Sequence, residues 1–252
     1  MTTTAQPEGN NNGFLLSVEN LEKAYRGKKV VNNVHLGVHP QEIVGLLGPN
    51  GAGKTTTFYM IVGLEQADAG SIHFNNQEIT GMPMYKRARR GMGYLAQEPS
   101  VFRHLSVKDN IVAILETLDL EPKQRDARLK ELLRELQLED LADQKAATLS
   151  GGERRRVEIT RALATDPAFI MLDEPFSGVD PINVYEVQKI IAHLRDIGLG
   201  VLITDHNVRE TLAVVQRAYL ICSGKILCEG TSDFLINDEQ ARRLYLGPRF
   251  TA

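Results

Sequence analysis

The segment from Gly48 to Thr55 constrains the fold more than any other part of the chain. It reads Gly-Pro-Asn-Gly-Ala-Gly-Lys-Thr, follows the short apolar run 42–47 and precedes a helical pattern at about 53–62. This is the P-loop pattern G-x-x-x-x-G-K-[ST] between a strand and a helix, which is the context that the motif requires. The segment therefore predicts a phosphate site where a buried strand passes into a helix.

The residue types of this loop suit contact with phosphate. Glycines let backbone N–H groups turn inward around phosphate oxygens, and the helix N-terminus adds positive potential. We expect Lys54 to reach the β- and γ-phosphates of a nucleotide and Thr55 to bind Mg²⁺. A plain glycine turn is the alternative. The nucleotide-binding residues predicted here are Gly48, Pro49, Asn50, Gly51, Ala52, Gly53, Lys54, Thr55 and Thr56.

Two carboxylates follow a second apolar run. The run 169–172 leads into Asp173 and Glu174, and Pro175 then ends the strand. A carboxylate at such a point is costly unless it binds a metal or moves a proton. We expect Asp173 to enter a Mg²⁺ shell and Glu174 to act as general base on the attacking water. For this segment alone, two acids at a strand exit without a function remain the alternative.

A second helix start has the composition of an anion site. The sequence Leu-Ser-Gly-Gly-Glu at 149–153 opens a helix predicted to reach 164. Ser150 can cap this helix, and the glycines permit close approach of an anion. An ordinary helix cap explains these residues equally well. A second phosphate-binding helix end makes sense if it serves a nucleotide held by another subunit.

The remaining chain predicts an α/β core with a helical insertion. Strand-like runs lie at 15–18, 30–38, 71–74, 92–95 and 199–204, and Asp180-Pro181 starts a helix that should reach about 197. This alternation argues for a parallel sheet with crossover helices. The glycine-free stretch 105–143 is almost entirely helix-forming and looks like an inserted subdomain. The basic run 86–90 is interpreted as a solvated helix face.

Composition excludes some classes of function. The formal net charge of -3 argues against a general nucleic-acid binder. No stretch approaches the roughly 20 apolar residues that span a bilayer, and the polar start 1–13 lacks the apolar core of a signal peptide. We therefore expect a disordered tail at 1–13 and a cytoplasmic protein, with any membrane role supplied by a partner. The low cysteine count, two, also favours a reducing compartment.

Taken together, the segments 48–55, 149–153 and 169–174 resemble the Walker A, signature and Walker B motifs of ATP-binding cassette (ABC) ATPases, and the resemblance covers nearly the whole chain. It implies an α/β fold with a P-loop (RecA-like), mostly parallel sheet core, an N-terminal antiparallel β subdomain and an inserted α-helical subdomain. The single domain would span 14–252, with the core at 14–97 and 166–252 and the helical subdomain at 98–165. It also implies a head-to-tail homodimer that closes around two ATP with Mg²⁺.

The resemblance assigns further site residues. Tyr25 matches the aromatic residue that stacks on adenine, Gln97 the glutamine that links Mg²⁺ and water to the partner contact, and His206 the switch histidine near the γ-phosphate. Without the resemblance, Tyr25 would be interpreted as a strand tyrosine, Gln97 as a loop residue and His206 as a core or capping histidine. Residues 177–180 match the D-loop. The signature residues implied to contact the ATP of the opposite subunit are Ser150, Gly151, Gly152 and Glu153.

A finer resemblance concerns the transported substrate. Residues 149–159, 203–212 and 245–247 look like those of the ATP-binding subunits of lipopolysaccharide export systems. This implies an ATPase, peripheral on the cytoplasmic face of the inner membrane, that binds integral membrane subunits and powers lipopolysaccharide extraction without touching the lipid. The alternatives are the ATPase of a branched-chain amino-acid importer and a soluble ABC ATPase of cofactor assembly. A non-hydrolysing scaffold is opposed by Glu174 and His206.

The sequence departs from the pattern of the family in three places. Glu153 stands where most members have glutamine, Gly178-Val179 where Ala-Leu is usual, and Ala96 where proline is expected. We expect the first two departures not to touch phosphate-binding groups. Ala96 is expected to alter the stiffness of its loop.

The segment 98–106 is the predicted contact with a membrane partner. Ser106 and Asp109 have the spacing of a capping box, and Pro99 stiffens the exit from the preceding strand. Between them lie Phe102 and Arg103, residue types that are enriched at interface hot spots. We expect Phe102 to line a groove for a short helix of the membrane subunit and Arg103 to pair with the polar rim of that helix. The alternative places Phe102 in the core of the helical block.

Overall fold

Two β-sheets form the framework of the protein. The computed structural model describes residues 13–247 and 250, so that the tail predicted at 1–13 lies, except for its last residue, outside the described residues. The strands are β1 (Leu16–Tyr25), β2 (Lys28–Val38), β3 (Ile43–Leu47), β4 (Ala69–Phe74), β5 (Gln77–Glu78), β6 (Met92–Leu95), β7 (Phe169–Asp173), β8 (Gly200–Thr204), β9 (Arg217–Cys222) and β10 (Lys225–Gly230).

The larger sheet is mostly parallel. Its strand order is β10-β9-β3-β8-β7-β6. Within this sheet, the described strand pairs are parallel except for β10 with β9, which is antiparallel. The smaller sheet, in the order β2-β1-β4-β5, is antiparallel throughout. The predicted fold class, a parallel P-loop core with an N-terminal antiparallel β subdomain, is confirmed.

Helices lie between the strands and after the last of them. They are α1 (Lys54–Val62), α2 (Met84–Ala88), α3 (Val107–Leu115), α4 (Pro122–Glu135), α5 (Gly151–Leu163), α6 (Pro181–Asp196), α7 (Val208–Leu212), α8 (Ser232–Asn237) and α9 (Glu239–Ala241), and a π-helical turn Arg242–Leu246 follows. In the part of the chain that the structure describes, no helix combines the length and apolar character needed to cross a bilayer.

The central strands bury both of their faces. Along β7, Phe169 and Met171 pack with the antiparallel sheet and α1, whereas Ile170 and Leu172 pack with the helices on the opposite side. A strand covered on both faces reads as a continuous apolar run instead of an alternating one. This explains why the apolar residues of β3, β7 and β8 are consecutive instead of alternating with polar ones.

The predicted helical block is interrupted. Between β6 and β7, the helix-forming stretch 105–143 contains α3, α4 and a 3-10 turn at Glu139–Leu141. Pro122 lacks an N–H and starts α4 at its first position. Ser106 caps α3 by accepting a hydrogen bond from the amide of Asp109 at 3.1 Å, as the sequence predicts. The apolar residues of α3, α4 and α5 join the core beneath the large sheet. The subdomain boundaries at 98 and 165 stay a prediction.

One member of the basic run 86–90 is not solvated. Arg87 has only 2% of its surface exposed, and its guanidinium donates to the carbonyl oxygens of Met60 at 2.8 Å, Ile61 at 2.5 Å, Met82 at 2.7 Å and Thr80 at 2.9 Å. Burial lowers the pKa of Arg87 to about 10. The interpretation of this run as a solvated face is therefore wrong for Arg87, which ties the end of α1 to the turn before α2.

Candidate nucleotide-binding site

The predicted P-loop joins β3 to α1 in a path that only glycine can follow. Gly53, at the N-cap of α1, has φ 106, and a Cβ atom there would lie 2.6 Å from the carbonyl oxygen of Val30. A Cβ atom on Gly48 would lie 2.1 Å from the carbonyl oxygen of Ile221. Such distances leave no space for a side chain, so these glycines allow the loop to pack against neighbouring strands while it wraps the start of α1.

Lys54 folds back over this loop. Its Nζ donates hydrogen bonds to the carbonyl oxygens of Gly48 at 2.6 Å and Pro49 at 3.1 Å. Burial lowers the pKa of Lys54, and the nearby charges of Glu174 and Asp205 oppose this shift. The ammonium group therefore lies on the P-loop, where the charges of the carboxylates that follow β7 and β8 still act on it. A cation at the start of a helix, beside inward-facing amides, can bind phosphate oxygens.

The carboxylate that ends β7 is buried. Asp173 is 3% exposed, Tyr94 donates its hydroxyl to Oδ2 of Asp173 at 3.3 Å, and burial raises the pKa of Asp173 to about 6. A buried carboxylate with so little compensation favours the approach of a cation.

A second buried acid, Asp205, follows β8, and sequence analysis did not assign it a role. Its Oδ2 accepts from the amide of Phe176 at 2.9 Å and its Oδ1 from that of Asn207 at 2.7 Å. Burial raises the pKa of Asp205. The sequence feature that could have identified Asp205 is its position next to His206, directly after an apolar strand.

The three residues predicted to be catalytic meet at one oxygen atom. Gln97 donates its Nε2 to Oε2 of Glu174 at 2.6 Å, and Nδ1 of His206 lies 3.2 Å from the same oxygen. Glu174 itself has a left-handed backbone, with φ 47, and its amide donates to the carbonyl oxygen of Thr204 at 2.7 Å. A strained backbone held by neighbouring strands is typical of functional sites. The catalytic roles of these residues stay a prediction.

The residues predicted to bind a metal offer only oxygen ligands. They are the Thr55 hydroxyl in the first turn of α1, the Asp173 carboxylate and the Gln97 amide. Among residues 13–247 and 250, no group of three or more His, Cys, Asp or Glu side chains could hold a metal ion. Mg²⁺ usually takes one or two carboxylates and completes its shell with phosphate and water oxygens. The residues present therefore fit a hard cation that is shared with a phosphate ligand.

Tyr25, the predicted adenine contact, ends β1 with its ring partly exposed. Nζ of Lys23 lies 5.4 Å from the centre of this ring. Lys23 is in turn held by Glu65 at 2.7 Å and Asp68 at 3.3 Å. An exposed ring with a fixed neighbour is available for stacking on a planar base, and its contact with adenine stays a prediction.

The predicted signature forms the N-terminus of α5. Oγ of Ser150 accepts from the amide of Glu153 at 3.3 Å, and Oε2 of Glu153 accepts from the amide and hydroxyl of Ser150 at 2.8 and 2.7 Å. These bonds to the Ser150 hydroxyl and amide lower the pKa of Glu153. The expectation that Glu153 stays away from candidate phosphate-binding groups is therefore wrong, because it forms a capping box with Ser150.

The predicted partner-binding residues lie at the surface. Phe102 is 48% exposed, and the guanidinium of Arg161 lies 4.6 Å from the centre of its ring. The backbone of Phe102 is fixed by the side chain of Asn110, which donates to its carbonyl oxygen at 3.0 Å and accepts from its amide at 2.8 Å. Arg103 is also exposed. The alternative that Phe102 belongs to the core of the helical block is wrong.

Known proteins with similar sequences include proteins named for ATP binding. Residues 31–177 match the family described as ABC transporter. The chain is 57% identical over 236 residues to the lipopolysaccharide export system ATP-binding protein LptB of Escherichia coli (strain K12), covering 93% of this chain and 98% of that protein. It is 56% identical over 237 residues to the protein of the same name from Haemophilus influenzae, covering 94% and 98%.

Solved structures share the fold. An ATP-binding cassette of an ABC transporter in its ADP conformation has a TM-score of 0.84 and 27% identity, covering 93% of this chain and 99% of that one. A dimeric ATP-binding cassette in a post-hydrolysis state, bound to ADP and Pi, has a TM-score of 0.74 and 25% identity, covering 86% and 98%.

Proposed function

Because this chain belongs to the ABC transporter family and is an ATP-binding ATP hydrolase, we propose that it powers the extraction of lipopolysaccharide from the inner membrane for export to the outer membrane. The observation that carries the substrate assignment is the similarity, along almost their whole length, to proteins named for lipopolysaccharide export. The lipid would be handled by membrane subunits and not by this chain.

In the proposed binding mode, the P-loop amides and Lys54 bind the β- and γ-phosphates of ATP, and Tyr25 stacks on adenine. Thr55, Asp173 and Gln97 would hold Mg²⁺. When bound, Mg²⁺ neutralises phosphate charge and orients the transferred group. The lowered pKa of Lys54 and the raised pKa of Asp173 support this assignment, because a phosphate would favour the charged lysine and a cation the charged carboxylate.

The proposed chemical step depends on the orientation of Glu174. Its carboxylate accepts a proton from the water molecule that attacks the γ-phosphate. Gln97 and His206 both contact Oε2 of Glu174, at 2.6 and 3.2 Å, and so restrict the rotation of the carboxylate. A base fixed in one orientation needs less rearrangement before proton transfer, which lowers the barrier.

We further propose that the site is completed by a second copy of the chain. Ser150 and Gly151 are exposed at the N-terminus of α5, where backbone amides and the helix dipole favour an anion. With Gly152 and Glu153 they would contact the ATP bound by the opposite subunit. A two-fold, head-to-tail dimer would then hold two ATP molecules at its interface.

The proposed membrane contact is the exposed surface at Phe102 and Arg103. The ring of Phe102 would pack against a short helix of an integral membrane subunit. Arg103 would pair with the polar rim of that helix. With this contact, the chain would lie on the cytoplasmic face of the inner membrane. The net charge of -3 supports a protein partner over a nucleic acid.

The proposal is tested by purifying the tagged chain, with Mg-ATP, from detergent-solubilised membranes of its own cells. We expect the integral subunits of a lipopolysaccharide exporter to co-purify, and ATP hydrolysis by the purified complex. The Phe102→Ala chain, prepared in parallel, should lose those subunits. Recovery of amino-acid importer subunits instead, with ATP hydrolysis intact, would overturn the substrate assignment and retain the ATPase.

A further inference from the structure

One face of α5 binds both ends of the loop 96–100. Nη1 of Arg155 donates to the carbonyl oxygen of Ala96 at 3.2 Å. Oε1 of Glu158 accepts from the amide of Ser100 at 2.8 Å, and the guanidinium of Arg161 donates to the carbonyl oxygen of the same serine. Residues spaced three apart lie along one side of a helix, so this side of α5 and the loop are joined at three points.

The charged groups that make these contacts are partly buried against each other. Nη1 of Arg155 lies 3.1 Å from Oε2 of Glu158, and their side chains are 8% and 4% exposed. Buried charges persist when they are paired and hydrogen-bonded, and each partner restricts the other. Two of the three attachments of the loop backbone therefore come from this buried ion pair, and the third comes from Arg161.

Arg155 also contacts the strand that carries the catalytic base. Its Nη2 donates to the carbonyl oxygen of Asp173 at 3.5 Å. Arg155 thus contacts the residue before Gln97 and the residue before Glu174, the two residues whose side chains meet at 2.6 Å. A single guanidinium on α5 spans the two backbone segments that set this distance.

We propose that Arg155, paired with Glu158, is a positioning residue that sets the contact between Gln97 and Glu174. Movement of α5, whose N-terminus carries Ser150, is thereby transmitted to the orientation of the base. Binding of a second subunit at Ser150 would then change the orientation of Glu174 in the same chain, through Arg155 and Gln97. This inference rests on the proposed role of Glu174 as general base.

The test is a double-mutant cycle on Mg-ATP hydrolysis by the full chain. Arg155→Gln should lower kcat about tenfold or more and leave KM for ATP within about twofold. In a Gln97→Ala background, the same substitution should change kcat by less than about twofold, because the residue through which Arg155 acts is gone. The matched control is Arg156→Gln, since Arg156 is the next residue of α5 and donates instead to the carbonyl oxygens of Leu136 at 3.4 Å and Gln137 at 3.2 Å.

Two results would overturn the proposal. One is an unchanged kcat in Arg155→Gln, and the other is an equal loss of kcat with and without Gln97. If Arg155→Gln fails to fold because Glu158 is left buried and unpaired, the cycle is run with Arg155→Met/Glu158→Leu, which removes both charges at similar volume. A wild-type chain that does not hydrolyse ATP would reject the proposed function itself, whereas an active wild type with an unaffected Arg155→Gln rejects only the positioning role.

Discussion

Nδ1 of His206 lies 3.2 Å from Oε2 of Glu174. The two residues follow β8 and β7, which are neighbouring parallel strands, and Gln97 follows β6 on the other side of β7. Parallel strands bring their carboxyl ends to one edge of the sheet, and ligands of open α/β sheets bind outside that edge. The candidate base is therefore held between two side chains that come from distant parts of the sequence.

Replacing Glu174 should separate ATP binding from hydrolysis. Glu174→Gln keeps the shape of the side chain and removes the base, so we expect kcat to fall by about 10²–10⁴ while ATP still binds. If the proposed dimer reopens on hydrolysis, a closed dimer should accumulate, and size-exclusion chromatography with Mg-ATP measures this. A monomer with wild-type turnover would show that Glu174 is not the base. His206→Ala should also slow hydrolysis and leave ATP binding largely intact.

Lys54 should be essential for nucleotide binding. Lys54→Ala removes the ammonium group that lies over the P-loop, and we expect most ATP affinity, hydrolysis or both to be lost. Isothermal titration calorimetry and a phosphate-release assay measure the two effects. Lys130→Ala, at an exposed position of α4, is the control and should behave as wild type. Unchanged ATP affinity and turnover in Lys54→Ala would reject the P-loop assignment.

A mixed dimer tests whether two chains share each site. One chain carries Lys54→Ala and the other Ser150→Arg, so that a head-to-tail dimer has one site with both lesions and one site with neither. We expect each homodimer to be inactive and the mixed dimer to hydrolyse ATP. Sharing is wrong if the mixed dimer is as inactive as the homodimers, because every site would then be complete within one chain.

Phe102 should bind the membrane partner without supporting the fold. Truncating an aromatic anchor costs about 2 kcal/mol or more of binding free energy, roughly thirtyfold in affinity. Phe102→Ala should therefore keep its melting temperature and ATP binding and lose its membrane partner in a pull-down. Tyr185→Ala is the matched control, because Tyr185 is 62% exposed and also carries a cation, Nζ of Lys189, 4.3 Å from its ring centre. A sharp fall in melting temperature, or an unchanged pull-down, contradicts the assignment.

Arg87 should stabilise the fold. Arg87→Met leaves four carbonyl oxygens without this donor, two of them in buried and two in part-buried hydrogen bonds, so we expect the free energy of unfolding to fall by at least about 3 kcal/mol. At roughly 2–4 °C per kcal/mol for a chain of this size, the melting temperature should drop by about 6 °C or more. Calorimetry without nucleotide measures this change. Arg90→Met, at an exposed position of the same run, should stay within about 0.5 kcal/mol of wild type.

The sequence by itself predicted most of the elements up to β8, and it named the residues of the candidate site, whose roles stay predictions. Glycine spacing, Lys54 and Thr55 marked the P-loop, and the uniformly apolar run before Asp173 marked a strand buried on both faces. These signals are readable because they depend on neighbouring residues: backbone conformation at glycine, helix capping, and the periodicity of apolar side chains. The α/β class followed from the order of such local elements, whereas the antiparallel β subdomain was implied by the resemblance to ABC ATPases.

Tertiary structure alone decided which charged residues are buried and what they bind. Arg87 belongs to the basic run 86–90, and Arg155 is the middle one of three consecutive arginines at 154–156. Nevertheless, Arg87 binds the carbonyl oxygens that end α1, and Arg155 binds those before Gln97 and Glu174. The physical reason is that a buried charge needs several partners at once. Those partners lie up to 59 residues away along the chain, and only the packing of helices on the sheet brings them within hydrogen-bonding distance.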